Sequence, residues 1–152
     1  MNALGLAALL LAVVGSQTPS PLAITSVASP NAAPGVFTTE LQQVIRDQSS
    51  WQSLWSRLTA NASPPPSIPA VDFTQEMLVV AAMGTKGHGG YKIAVTAATE
   101  QAGAVSVEVT ETSPGPHCMN AMIVTSPVAI AKLPKRDGNV TFTVVKKTVD
   151  CQ

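Results

Sequence analysis

The histidines and cysteines of this sequence, residue types that hold metals and move protons, number four: His88, His117, Cys118 and Cys151. Taken together they have the composition of a Cys2His2 metal site. The spacing argues against one, because structural zinc sites use C-x2-C and H-x3-H pairs and neither occurs here. Adjacent His117 and Cys118 also cannot easily point at one ion. The competing reading is a disulfide between Cys118 and Cys151, since an even cysteine count in an exported chain favours pairing. Two free thiols are the third alternative. No metal or cofactor is expected. A Ser-His-Asp relay would have to use His88 or His117, and no serine sits in a G-x-S-x-G elbow. Glu108 and Glu111 are close in sequence, but their spacing assigns them no paired-carboxylate chemistry. The expectation is a protein with no catalytic residues, not an enzyme.

The remaining candidate is the glycine-rich stretch Gly84-Thr85-Lys86-Gly87-His88-Gly89-Gly90-Tyr91. Its glycines permit close backbone approach. It is not a phosphate-binding loop, because GxxxxGK[ST] is absent and no helix follows. It reads either as a wide hairpin connection or as a loop presented to a partner protein. In the second case Lys86, His88, Gly89, Gly90 and Tyr91 would form the contact.

Strands must position that loop. Met77–Met83 is a continuous apolar run of strand length, and Tyr91–Ala97 alternates with Tyr91, Ile93, Val95 and Ala97 on one face. Ala104–Glu111 alternates again, with Val105, Val107 and Val109 opposite Ser106, Glu108 and Thr110. Ala121–Thr125 and Val128–Leu133 are two short runs split by Ser126-Pro127. Lys135–Asn139 is a turn containing Asp137-Gly138, and Val140–Val149 closes the series. Short polar turns between these strands indicate antiparallel pairing. Residues 37–46 fit either a helix or the end of a strand. One helix is expected over Ser50–Ala60, with Trp51, Leu54, Trp55 and Leu58 at i, i+3, i+4 and i+7. Ser49 and Gln52 would cap it, and Asn61 with Pro64-Pro65-Pro66 would stop it. The two tryptophans are expected to dock on the sheet. The fold class is therefore α+β and β-rich: an antiparallel sheet, partly closed as a barrel or sandwich-like, with one amphipathic helix packed on it.

The charged residues, nine of each sign, make up 12% of the chain, and none precedes Glu40. Zero net charge leaves no basic excess for phosphates, so no nucleic-acid partner is expected. Ala3–Val14 fits the apolar core of a signal peptide and is too short to span a bilayer. The expected division is a signal peptide over 1–16, a Pro/Ser-rich tether over 17–35 and a folded domain over 36–152. The location would be extracytoplasmic: periplasmic, secreted or at the cell surface. Contact with a membrane would run only through an uncleaved signal. Asn61-Ala62-Ser63 and Asn139-Val140-Thr141 are formal glycosylation sequons.

Pro69-Ala70-Val71-Asp72-Phe73, the apolar run to Met83, the Gly84…Gly89-Gly90-Tyr91 loop and Thr125-Ser126-Pro127 follow one another in that order. With the preceding Trp51-x-x-Leu54-Trp55 helix, residues 44–146 resemble the C-terminal domain of the PrcB family. That family takes its name from an accessory protein needed to assemble a bacterial surface protease complex, and not itself the protease. The resemblance implies a non-catalytic, exported domain whose partner is another protein, with a secreted protease as the candidate. The alternative is a small protease inhibitor that inserts the 84–91 loop into a cleft, by analogy with the loops of small β-fold cysteine protease inhibitors.

Overall fold

A computed structural model describes residues 17–27 and 35–151. The signal peptide expected over 1–16 lies outside the described residues. The elements in chain order are β1 (Ser20–Pro21), β2 (Thr25–Val27), β3 (Glu40–Ile45), α1 (Gln48–Leu58), β4 (Glu76–Met83), β5 (Lys92–Gln101), β6 (Ala104–Pro114), β7 (Val128–Pro134) and β8 (Val140–Val149). They form two four-stranded sheets, ordered β1-β5-β6-β8 and β2-β7-β4-β3. The sheets face each other and α1 covers the outer face of the second, giving three layers of the sandwich-like kind the sequence indicates.

Strand β4 explains its own sequence. Leu78, Val80 and Ala82 pack toward α1, while Met77, Val79 and Ala81 pack toward the other sheet. A strand covered on both faces needs no polar alternation, hence the unbroken apolar run. Strand β6 faces the core on one side only. It alternates accordingly, with Val105, Val107 and Val109 buried against Met77, Val79 and Leu133.

The helix docks through Trp51, Leu54, Trp55 and Leu58, all buried. Its two indole rings lie 5.3 Å apart between centroids. Each indole N–H donates to the proline segment that follows, Trp51 Nε1 to the Pro69 carbonyl and Trp55 Nε1 to that of Pro66, both at 3.0 Å. The prolines therefore do more than end the helix, because they accept the two polar atoms that docking buries. The start of the helix differs from expectation. The cap is Asp47 and not Ser49: its carboxylate accepts from Ser50 N, and the Ser49 and Ser50 hydroxyls donate to it, each at 2.8 Å. A full negative charge is favoured over a neutral hydroxyl at the positive end of a helix.

Four further differences have physical causes. The part of the expected tether that is described does not run free. Ser20–Pro21 pairs with β5 and Thr25–Val27 with β7, while Leu22, Ile24 and Val27 pack into the two cores. Proline is tolerated there because both strands lie at sheet edges. Second, β8 runs parallel to β6, whereas every other ladder is antiparallel. The Lys135–Asn139 turn joins strands of different sheets, so it is a crossing and not a hairpin. Arg46 holds it, donating to the carbonyls of Arg136 (3.1 Å) and Gly138 (2.9 Å). Third, Thr96 is an extra residue at a bulge between Val95 and Ala97, so Ala98 and not Ala97 enters the core. Bulges shift the facing of all that follows. Fourth, Ala121–Val124 forms no strand, and Thr125 makes only an isolated bridge to Lys86. The ambiguous segment 37–46 resolves as β3, which pairs along β4.

Candidate functional site

The glycine-rich loop joins β4 of one sheet to β5 of the other, at one end of the sandwich. Two of its glycines meet backbone requirements. Gly84 has φ +72° and would bring a Cβ to 2.9 Å from the Thr39 carbonyl carbon, and Gly90 has φ +92° beneath Asn120. L-residues with a Cβ are strained in both places. His88 Nδ1 donates to the Gly89 carbonyl at 2.8 Å, leaving Nε2 toward the Tyr91 hydroxyl at 3.4 Å. Lys86 Nζ sits 5.5 Å above the centre of the Tyr91 ring. Lys86, His88 and Tyr91 are half-buried, Gly90 is exposed and Gly89 is buried. The five residues singled out from sequence are thus one packed group.

What covers Gly89 is the loop between β6 and β7. Lys86 and Thr125 exchange two backbone hydrogen bonds, of 2.8 and 3.0 Å. Gly89 N donates to Ala121 O at 2.8 Å, and the Thr125 hydroxyl donates to the His88 carbonyl at 3.2 Å. The two loops form a single platform. The disulfide Cys118–Cys151 fixes its far side, with the two Cα atoms 4.8 Å apart. Both thiols are consumed, so the Cys2His2 arrangement has no sulfur ligands left. Beside the bridge, His117 Nδ1 pairs with an Asp150 carboxylate oxygen, while the other oxygen accepts from His117 N at 2.9 Å.

The 119–124 part of this platform exposes apolar side chains. Met119 is 100% exposed, Met122 86% and Ile123 60%, with Val124 also exposed. No charged residue occurs from Cys118 to Ala131. Exposed apolar side chains grouped on one loop are the kind of feature that partner surfaces cover. Sequence reasoning treated Ala121–Thr125 as a strand and missed it. The available signal was its flanks, since Gly115-Pro116 and Ser126-Pro127 bracket the run and Cys118 pins it.

The charged groups around the platform are mostly paired. Lys146 bridges the sheets, with Nζ 2.9 Å from Glu40 and 3.7 Å from Glu111. Glu111 continues the inward valine face of β6 and is buried. Its second carboxylate oxygen has no hydrogen-bond partner among the described residues. The outward Glu108 accepts from the Thr96 hydroxyl at 2.8 Å.

Four carboxyls are held below their ordinary range, among them Asp72, held by the Thr74 hydroxyl, then the Thr74 N–H and the Gln75 side chain. Asp150 is held by the His117 side chain and then its N–H, Asp47 by Ser50 N and then the serine hydroxyls, and Glu40 by Lys146. A depressed folded pKa adds stability above the unfolded value, and that stability is lost as pH falls through the folded value. The thermal midpoint should therefore be level above the carboxylate range and drop below about pH 4. A scan from pH 7 to pH 3 checks this, and a midpoint unchanged at pH 3 contradicts it.

Residues 77–134 match the family model described as PrcB C-terminal. The match runs from β4 through β7 and contains both platform loops. The Trp51 helix and the Pro69–Phe73 segment lie outside it. No curated protein and no solved structure matches the chain.

Proposed function

We propose that this chain is an exported, non-catalytic accessory domain that binds another protein through the platform of loops 84–91 and 117–125. The observation that carries this reading is the exposed Met119, Met122 and Ile123 tip, held on a scaffold that ties it down from two sides. Exposing such side chains to water is unfavourable at about 25 cal/mol per Å² of apolar surface, and covering them on a partner recovers that cost. Methionine adapts its shape to a partner groove, as interaction surfaces require.

The similarity of residues 77–134 to the PrcB C-terminal family supports a partner within a protease complex, and a secreted protease is the candidate. The disulfide supports an extracytoplasmic location. Insertion of the 84–91 loop into a protease cleft has less support. That loop is bonded along its length to residues 121–125 and does not project as a free wedge.

Affinity capture from the native extracytoplasmic fraction, followed by mass spectrometry, tests this reading. The expected result is a protein partner enriched with the intact chain. Good recovery of the bait with no enriched protein would count against it.

A further inference from the structure

The two sides of the sandwich are finished differently. On one side the chain covers the edges of β5 and β7 with its own residues, in β1 and β2. On the other, β8 ends its sheet, and no described residue pairs with its outer edge along Val140–Val149. Edges of this length are normally blunted by a proline, a bulge, a cover or charged side chains, and β8 carries the last of these in Lys146 and Lys147. The pairing of β8 with β6 runs without a register shift, and β8 contains no proline.

The register fixes which groups face outward. Val105 N donates to Asn139 O, and Gly115 N to Val149 O, each at 2.8 Å. In a parallel ladder alternate residues aim both amide groups to the same side. The odd-numbered residues of β8 therefore serve β6. Val140, Phe142, Val144, Lys146 and Thr148 turn their N–H and C=O groups to the open edge.

Charge narrows the occupant. Lys92, Thr112 and Lys147 stand in one row across β5, β6 and β8, on the face away from the core. Lys92 and Lys147 are exposed, and neither has a carboxylate in salt-bridge reach among the described residues. Lys146, on the opposite face, is already engaged by Glu40 and Glu111. The row leads into a cleft of about 420 Å³ lined by Gly90, Lys92, Thr112, Asn120, Val149 and the disulfide. The edge is thus continuous with the loop platform.

We infer that β8 docks an extended segment of the protein partner as an added strand, with an acidic residue of that segment set against Lys147, while Lys92, two strands further in, extends the same positive row across the sheet. Backbone pairing supplies the attachment and the carboxylate supplies the selectivity. This rests on the protein-binding reading above and assigns it a second contact.

The test uses the full chain labelled for amide-resolved NMR and two eight-residue probes, Thr-Val-Thr-Val-Glu-Val-Glu-Val and its counterpart with Lys in place of both Glu. The acidic probe should bind at least about tenfold more tightly, and added salt should weaken it. Amide shifts should concentrate at Val140, Phe142, Val144, Lys146 and Thr148. Lys147→Glu, an exposed change that breaks no ion pair, should abolish the preference for the acidic probe. Equal affinity for the two probes, no binding of either, or shifts confined to loops 84–91 and 117–125 would each overturn the inference. Capture of a partner through the Met122 tip is read separately, so failure here is distinct from failure of the protein-binding reading.

Discussion

Trp51→Ala should lower the unfolding free energy by about 4 kcal/mol, the range found for emptying a buried aromatic site. The Trp51 side chain is completely buried between α1 and the outer face of the β2-β7-β4-β3 sheet. Three losses combine at that site. The burial of the indole's apolar area is lost, the cavity cannot close against Leu78 and Val80 without moving β4, and the tilted ring contact with Trp55 disappears. The Pro69 carbonyl also loses its donor, which loosens the segment packed over the helix. Urea unfolding followed through the remaining tryptophan measures the effect. A loss below about 1 kcal/mol would mean that α1 is not an integral layer of the fold.

The second large effect belongs to the disulfide. Replacing Cys118 and Cys151 by serine frees a loop with a sequence separation of 33. The chain-entropy relation gives about 4 kcal/mol for a closure of that size. The consequence should also be local. Without the bridge, the end of β8 keeps Gly115 N on Val149 O and the Asp150–His117 pair, both near the surface. Amide exchange in 117–125 should therefore rise well before that in β4, while α1 stays protected. Denaturation of the double variant against the native chain checks the energy, and exchange mass spectrometry checks the location. Equal stability of the two proteins would show that packing alone holds the platform.

The parts of the fold that were legible in the sequence are those decided by nearby residues. The helix announced itself through Trp51, Leu54, Trp55 and Leu58, and β6 through its alternating valines. The unbroken run of β4 was readable as a strand, although the reason for it, burial on both faces, needed the third layer. Decisions made by distant residues were not legible. Ser20–Pro21 and Thr25–Val27 are strands only because β5 and β7 offer them edges. The parallel placement of β8 follows from β7 having joined the other sheet, which no local pattern records. At the helix start, Asp47 and Ser49 are both acceptable caps by type, and the charge on Asp47 decided between them.

The candidate site divides in the same way. The glycine-rich loop was visible because Gly84 and Gly90 occupy backbone conformations that other residues enter only under strain. Its partner loop was not. Ala121-Met122-Ile123-Val124 has the composition of a buried strand, and its place on the surface is fixed by the disulfide at Cys118, the flanking prolines and the hydrogen bonds to Lys86, His88 and Gly89. Hydrophobicity alone therefore pointed to the wrong side of the molecule for the residues on which the binding reading now depends.

The most direct measurement is partner capture by the intact chain beside the Met122→Asp/Ile123→Asp double variant. Both side chains point into solvent, so the variant should fold with an unchanged thermal midpoint. If the tip is the docking surface, the variant should recover the partner at least about tenfold less well. Recovery of the same partner in equal yield by both proteins would contradict the account, and would move the binding surface away from these loops.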